Sequence, residues 1–295
     1  MFKLLRADGY RVLHYKLFWT MLCGYVLLSF IFVLGEYAKL TTWMEYYRGE
    51  IAGSSPPTNA FFCMQWGFGL NVCLLGILCA ILVPVFIGKE NASGGMRNKI
   101  IAGGGRAQVY LSKLIWSCAM CAAVYLAFHL VNFTLGSALL GWGGVTVGEV
   151  LPPFFTGLLF VLAYAAIFTA VAMLSRSAVA GVIVCLLLVL AAWVLLGALE
   201  AARPSAPKID PETGALLWFV EGVIPVWLQE FLKGLLAALP TGQYVTFYAS
   251  GLDLSAKYAG EVLVGNLGAY CGFSALWVAL SAVCGPLLFA KVDLK

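Results

Sequence analysis

Gly88-Lys-Glu-Asn-Ala-Ser-Gly-Gly-Met-Arg-Asn-Lys-Ile-Ile-Ala-Gly-Gly-Gly-Arg106, running on through Ala107 to Lys113, is a strongly polar stretch in an otherwise apolar chain. Apolar runs flank it, Phe61–Ile87 before and Leu111–Phe133 after. Each is long enough for a helical membrane span of about 20 residues. Inside the stretch, Met96 and Ile100 are four apart with Ile101 beside them, while Arg97, Asn98 and Lys99 occupy other positions around the turn. The Gly103–Gly105 run ends the helix. This pattern predicts a short helix lying parallel to the membrane, offering apolar knobs and cations to a partner. The glycine run is followed by Arg106 and not by a Lys-Ser/Thr pair, so it is a turn and not a phosphate loop.

Outward from this stretch the chain is membrane. Of 295 residues, 62% are hydrophobic and 11% charged, with a mean hydropathy of +0.93. A soluble domain carries about 25% charge, and a disordered chain needs low hydrophobicity and high charge. Both classes are excluded, as is a large soluble catalytic or nucleotide-binding domain. Six apolar runs predict six spans: Leu17–Leu34, Phe61–Ile87, Leu111–Phe133, Phe154–Leu174, Ala178–Leu199 and Val262–Ala290. They are continuous, whereas barrel strands alternate. The expected fold is therefore an all-α polytopic membrane protein, with residues 17–295 forming the six-span domain.

Charge placement orients the spans. With both termini cytoplasmic, twelve of the 18 basic residues fall inside with only three acids, Asp8, Glu90 and Asp293. The inner segments then carry +9 and the outer ones −5. Residues 1–16 read as an uncleaved basic amphipathic helix on the cytoplasmic leaflet, with Phe2, Leu5, Gly9, Val12 and Leu13 on one face. Residues 200–260 form the largest outer segment. Within it, Leu216–Leu239 contains Glu221, Glu230 and Lys233 around Pro225, which disfavours a seventh span. It reads as two short helices broken at Pro225, dipping into the outer leaflet.

Catalytic chemistry is not visible. The nine cysteines lie in or at the edges of spans and behave as small apolar residues. Cys118 and Cys121 form a lone CxxC, half of the four ligands a structural zinc needs. His129, inside span three, reads as a neutral imidazole hydrogen-bonded within the bundle; an intramembrane enzyme built on it would need an acid at the same depth. Gln65, Asn71, Asn132 and Asn266 either line a path or link helices. Gly268 and Gly272 form a GxxxG that suits a dimer seam.

The run Arg97-Asn-Lys-Ile-Ile-Ala-Gly103, then Arg106 and Val109-Tyr-Leu-Ser-Lys113, resembles the signature of type-2 ABC-transporter permeases. The nearest likeness is to the bacterial branch of peptide-antibiotic immunity and export permeases. In that family an acid closes span two, a G-T-hydrophobic-(R/K)-N-K helix follows, and a (I/V)-Y-L-(S/A)-K entry opens span three. Glu90, Gly94, Met96, Arg97, Asn98, Lys99, Gly103, Arg106, Tyr110, Ser112 and Lys113 fit. Gly95 stands where Thr is usual, and the aromatic often found after the acid is missing at Asn91. Leu239-Pro-Thr-Gly-Gln243 is a second likeness.

The resemblance implies a permease half in a bacterial cytoplasmic membrane, paired with a second permease chain, identical or not, and with two cytoplasmic ATPase subunits. Membrane lipids surround it, and nucleic acid is not a partner. ATP and Mg belong to the ATPase; no cofactor or metal is implied on this chain. Within the loop 88–110, Glu90, Met96, Arg97, Asn98, Lys99, Ile100, Ile101 and Arg106 would form the ATPase-coupling surface. The same resemblance also accommodates a sensor or immunity module without bulk transport.

Overall fold

A computed structural model describes residues 1–46, 60–142, 147–175, 177–201, 208–209, 216–218, 225–240 and 267–291. The elements are α1 (Phe2–Leu13), α2 (Lys16–Tyr46), α3 (Ala60–Ala92), α4 (Gly95–Ile101), α5 (Arg106–Leu140), α6 (Val147–Ser175), α7 (Ala178–Ala201), β1 (Lys208–Ile209), β2 (Leu216–Trp218), α8 (Val226–Ala238) and α9 (Leu267–Ala290). Six of these helices, α2, α3, α5, α6, α7 and α9, are long and apolar enough to cross a membrane. Among the described residues the chain is an all-helical membrane protein apart from the short antiparallel β1–β2 ladder.

Helix ends differ from the sequence expectation in several places: α5 runs seven residues past Phe133 to Leu140, α6 begins at Val147 and not at Phe154, and three further differences have a visible cause. The first span was expected to end at Leu34, but α2 runs unbroken to Tyr46. Glu36 pairs with Lys39 one turn on at 2.6 Å, and Thr42 returns its hydroxyl to the Ala38 carbonyl, so the polar residues there extend the helix instead of ending it. At about 1.5 Å per residue α2 exceeds the hydrocarbon thickness. The second span was expected to stop at Ile87, but α3 continues to Ala92, placing Lys89 and Glu90 on its last turn and not in a loop. Finally, the described part of Leu216–Leu239 holds one helix and not two: α8 begins after Pro225, and Leu216–Trp218 pairs as a strand. Proline lacks the N–H of a helix interior and suits a helix start.

α3 and α6 form the centre. α3 packs on α6, α7 and α5; α9 packs on α6 and α5; α2 packs on α5. Polar side chains inside the spans join helices. Tyr110 donates to Ser281 Oγ at 2.8 Å, and Ser281 donates to the Ala166 carbonyl at 2.9 Å, tying α5, α9 and α6. Asn132 donates to Ser29 at 2.9 Å, tying α5 to α2. Asn132 is thus a helix linker. The side chains of Gln65 and Asn71 lie outside the described residues, as do Asn266, Glu261, Thr241 to Gln243, most of Ala201–Gly214 and residues 292–295.

Candidate functional site

One end of the bundle gathers α1, α4 and the adjoining ends of α3 and α5. The sequence forms α4 by two glycines. Gly94 precedes it at φ 70°, and Gly103 follows at φ 91°. Gly103 N–H donates to the Ile100 carbonyl at 3.0 Å and Gly104 N–H to the Lys99 carbonyl at 2.9 Å. This is the Schellman closure, which needs a left-handed residue and favours glycine. The expected turn at Gly103–Gly105 is therefore present, and it fixes α4 at seven residues.

α4 is clamped by charge. Lys113, on α5, is 0% exposed, and Glu90, at the end of α3, is 1% exposed. Lys113 Nζ meets Asp8 Oδ1 at 2.6 Å and also pairs with Glu90. Lys99 of α4 bridges the same two acids, at 2.5 Å to Asp8 and 2.6 Å to Glu90. Arg11 of α1 pairs with Glu90, and Ser112 donates to Asp8 Oδ2 at 2.7 Å. Five charged side chains from four helices thus share one buried knot. A buried ammonium is tolerated only when paired in this way.

Burial raises the Asp8 carboxyl, but the Lys113 charge and the donors on Lys113, Lys99 and Ser112 outweigh it and hold the group below its ordinary range. Burial lowers the Lys99 ammonium, but its two carboxylate partners outweigh that and hold it above the ordinary lysine value.

α1 sits flat on α5 beside this knot. Gly9 faces the Trp116 ring so closely that a methyl would collide, and Trp116 Nε1 donates to the Leu5 carbonyl at 2.9 Å. The buried face of α1 is Asp8, Gly9 and Val12. Phe2 and Leu13 of the expected apolar face point away from the bundle.

The expected coupling residues therefore divide. Met96 is buried in the core, and Glu90 and Lys99 are spent inside the knot. Arg106 Nη1 donates to the Ala290 carbonyl at the end of α9, at 2.6 Å. Ile100 is half-buried, whereas Arg97, Asn98 and Ile101 are exposed, Ile101 by 73%. Asp8, Arg11 and Lys113 were not expected in the site. The available signal was that Asp8 and Glu90 are two of only three acids on a strongly basic side.

Other features lie apart. His129 is buried against the rings of Tyr125, Phe128 and Phe154 and lines an apolar crevice of about 690 Å³ between α5 and α6. Gly268 and Gly272 face open space on α9. Compared with known protein families and with curated proteins, the chain matches none.

Proposed function

We propose that this membrane protein is the permease subunit of a type-2 ABC transporter in a bacterial cytoplasmic membrane. It would move or extract an amphipathic or hydrophobic substrate, such as an antibiotic peptide, a lipid or a drug, using ATP hydrolysed by a separate subunit. One observation carries the reading most: Lys99 binds α4, a short surface helix, by ion pairs to Asp8 of α1 and Glu90 of α3, and the same two acids pair with Lys113 of α5. A push on Arg97, Asn98 or Ile101 therefore reaches three other helices through rigid contacts, as a lever between an ATPase and a helical bundle requires. The motif likeness of Arg97–Lys113 supports the same reading, and so does the basic character of this end, which fits a cytoplasmic face under the positive-inside bias.

Arg97→Glu with Ile101→Asp tests it. These side chains are exposed and outside the knot, so membrane insertion and thermal stability stay as in the wild type. Association with the ATPase subunit is lost. Unchanged association removes α4 from the docking surface. Lys99 is unsuitable for this test because its loss breaks the knot itself.

A further inference from the structure

The elbow between α1 and α2 encloses a pocket of about 320 Å³ that the coupling reading does not use. Its walls include Arg11, His14, Tyr15, Lys16, Phe86 and Lys89. Phe86 and Tyr15 form an aromatic floor, their centroids 5.5 Å apart. The Arg11 guanidinium lies over Phe86 at 5.8 Å and the Lys89 ammonium over Tyr15 at 5.3 Å. His14 donates Nδ1–H to the Tyr10 carbonyl at 2.8 Å, which fixes its ring at the rim. The carboxylate behind this wall is Glu90, already shared by Arg11, Lys99 and Lys113. Lys16 and Lys89 are exposed, and neither has a carboxylate partner among the described residues. The Tyr15 hydroxyl is a buried donor with no hydrogen-bond partner among the described residues, so an acceptor in the pocket is what it lacks.

We infer that this elbow pocket is a binding site for the headgroup of an anionic phospholipid in the leaflet that bathes the basic end of the bundle. Three observations select that occupant. The pocket presents two cations without a carboxylate partner among the described residues, Lys16 and Lys89, beside Arg11, which is already paired with Glu90, so it is complementary to a phosphate. It sits where α2 starts and α3 ends, at headgroup depth, with Trp19 beside it donating to the Leu13 carbonyl at 2.7 Å as an interfacial anchor. Lys16 and Lys89 carry long methylene stems that let the ammonium reach a headgroup while the acyl chains stay in the membrane. Basic pockets between span ends on this side are where anionic headgroups bind. The inference rests on the orientation of the chain and not on its being a transporter.

The full chain, purified in mild detergent, is titrated with dioleoylphosphatidylglycerol or dioleoylphosphatidylcholine, and retained lipid is counted by native mass spectrometry. The wild type keeps phosphatidylglycerol about tenfold more tightly than phosphatidylcholine. Lys16→Ala with Lys89→Ala abolishes that preference, while Lys3→Ala with Arg6→Ala, which removes equal charge from exposed positions on α1, leaves it. Equal retention of both lipids, or an equal loss in the control variant, overturns the site. Displacement of the lipid by millimolar inorganic phosphate assigns the pocket to a free anion and also overturns it. A protease-cleavable tag at Met1 reports orientation separately: cleavage from outside intact cells refutes the topology whatever the lipid counts show.

Discussion

At the scale of single residues, the decisive group is Lys113, a fully buried ammonium held by Asp8 and Glu90. Such a pair adds little net stability over an apolar replacement, but removing one partner strands the other charge, at about 3–5 kcal/mol. Glu90→Gln therefore lowers the Tm in detergent by about 6–12 °C, whereas Arg97→Ala, on the exposed face of α4, changes it by less than about 2 °C. A melting experiment in which the two variants behave alike refutes the knot. Its pH dependence has a definite sign. The Asp8 carboxyl is held below its ordinary 3.8, so its contribution is present above that value and is lost as pH falls through the lower folded value. Lys99 is held above 10.5, so its contribution is present below 10.5 and is lost as pH rises through the higher folded value. With the intrinsic rise of exchange with pH divided out, the protection of the α1 amides is accordingly flat between about pH 5 and pH 9, and a transition in protection near neutrality contradicts the assignment. The scarcity of acids at the basic end marks Asp8 and Glu90 in the sequence, but which groups pair is not legible there. Asp8 and Lys113 are 105 positions apart, and no local pattern registers which lysine of a basic end turns inward.

Among the elements, what was legible was local. Apolar runs located the spans, and the Gly103–Gly105 run marked the end of α4, because hydropathy and left-handed backbone are properties of neighbouring residues. Helix ends are less legible: the polar residues Glu36 and Lys89 suggest loop, yet they continue helices in which an ion pair and an aromatic contact satisfy them. Gly103→Ala forces a side chain into φ 91°, at about 1–2 kcal/mol, and so speeds amide exchange in α4 while leaving α7 and α9 unchanged. α9 offers a contrast between its glycines. Gly285 meets the Tyr110 ring with no room for a methyl, whereas Gly272 faces open space. Gly285→Val therefore lowers thermal stability, and Gly272→Val leaves it intact. If Gly268 and Gly272 form the seam between two permease chains, Gly272→Val also shifts the detergent-solubilised protein from dimer to monomer by sedimentation; an unchanged dimer places the seam elsewhere.

For the whole molecule, the scarcity of charge is the organising fact. Only 11% of residues are charged, and five of those charges are drawn from α1, α3, α4 and α5 into one knot at the basic end. A protein that needed this end only to satisfy the positive-inside bias would leave its lysines in water. Here they bind a surface helix to the bundle, and its outer face, Arg97, Asn98 and Ile101, is left for something else to grip. The proposed partner is an ABC ATPase. The most direct test is to solubilise the chain from its native membranes in mild detergent, purify it, and identify and count the chains that accompany it by mass spectrometry. The expected result is a cytoplasmic ABC ATPase subunit at one copy per permease chain, lost in the Arg97→Glu, Ile101→Asp variant. A chain that purifies without any ATPase, or that keeps it undiminished in the variant, contradicts the account.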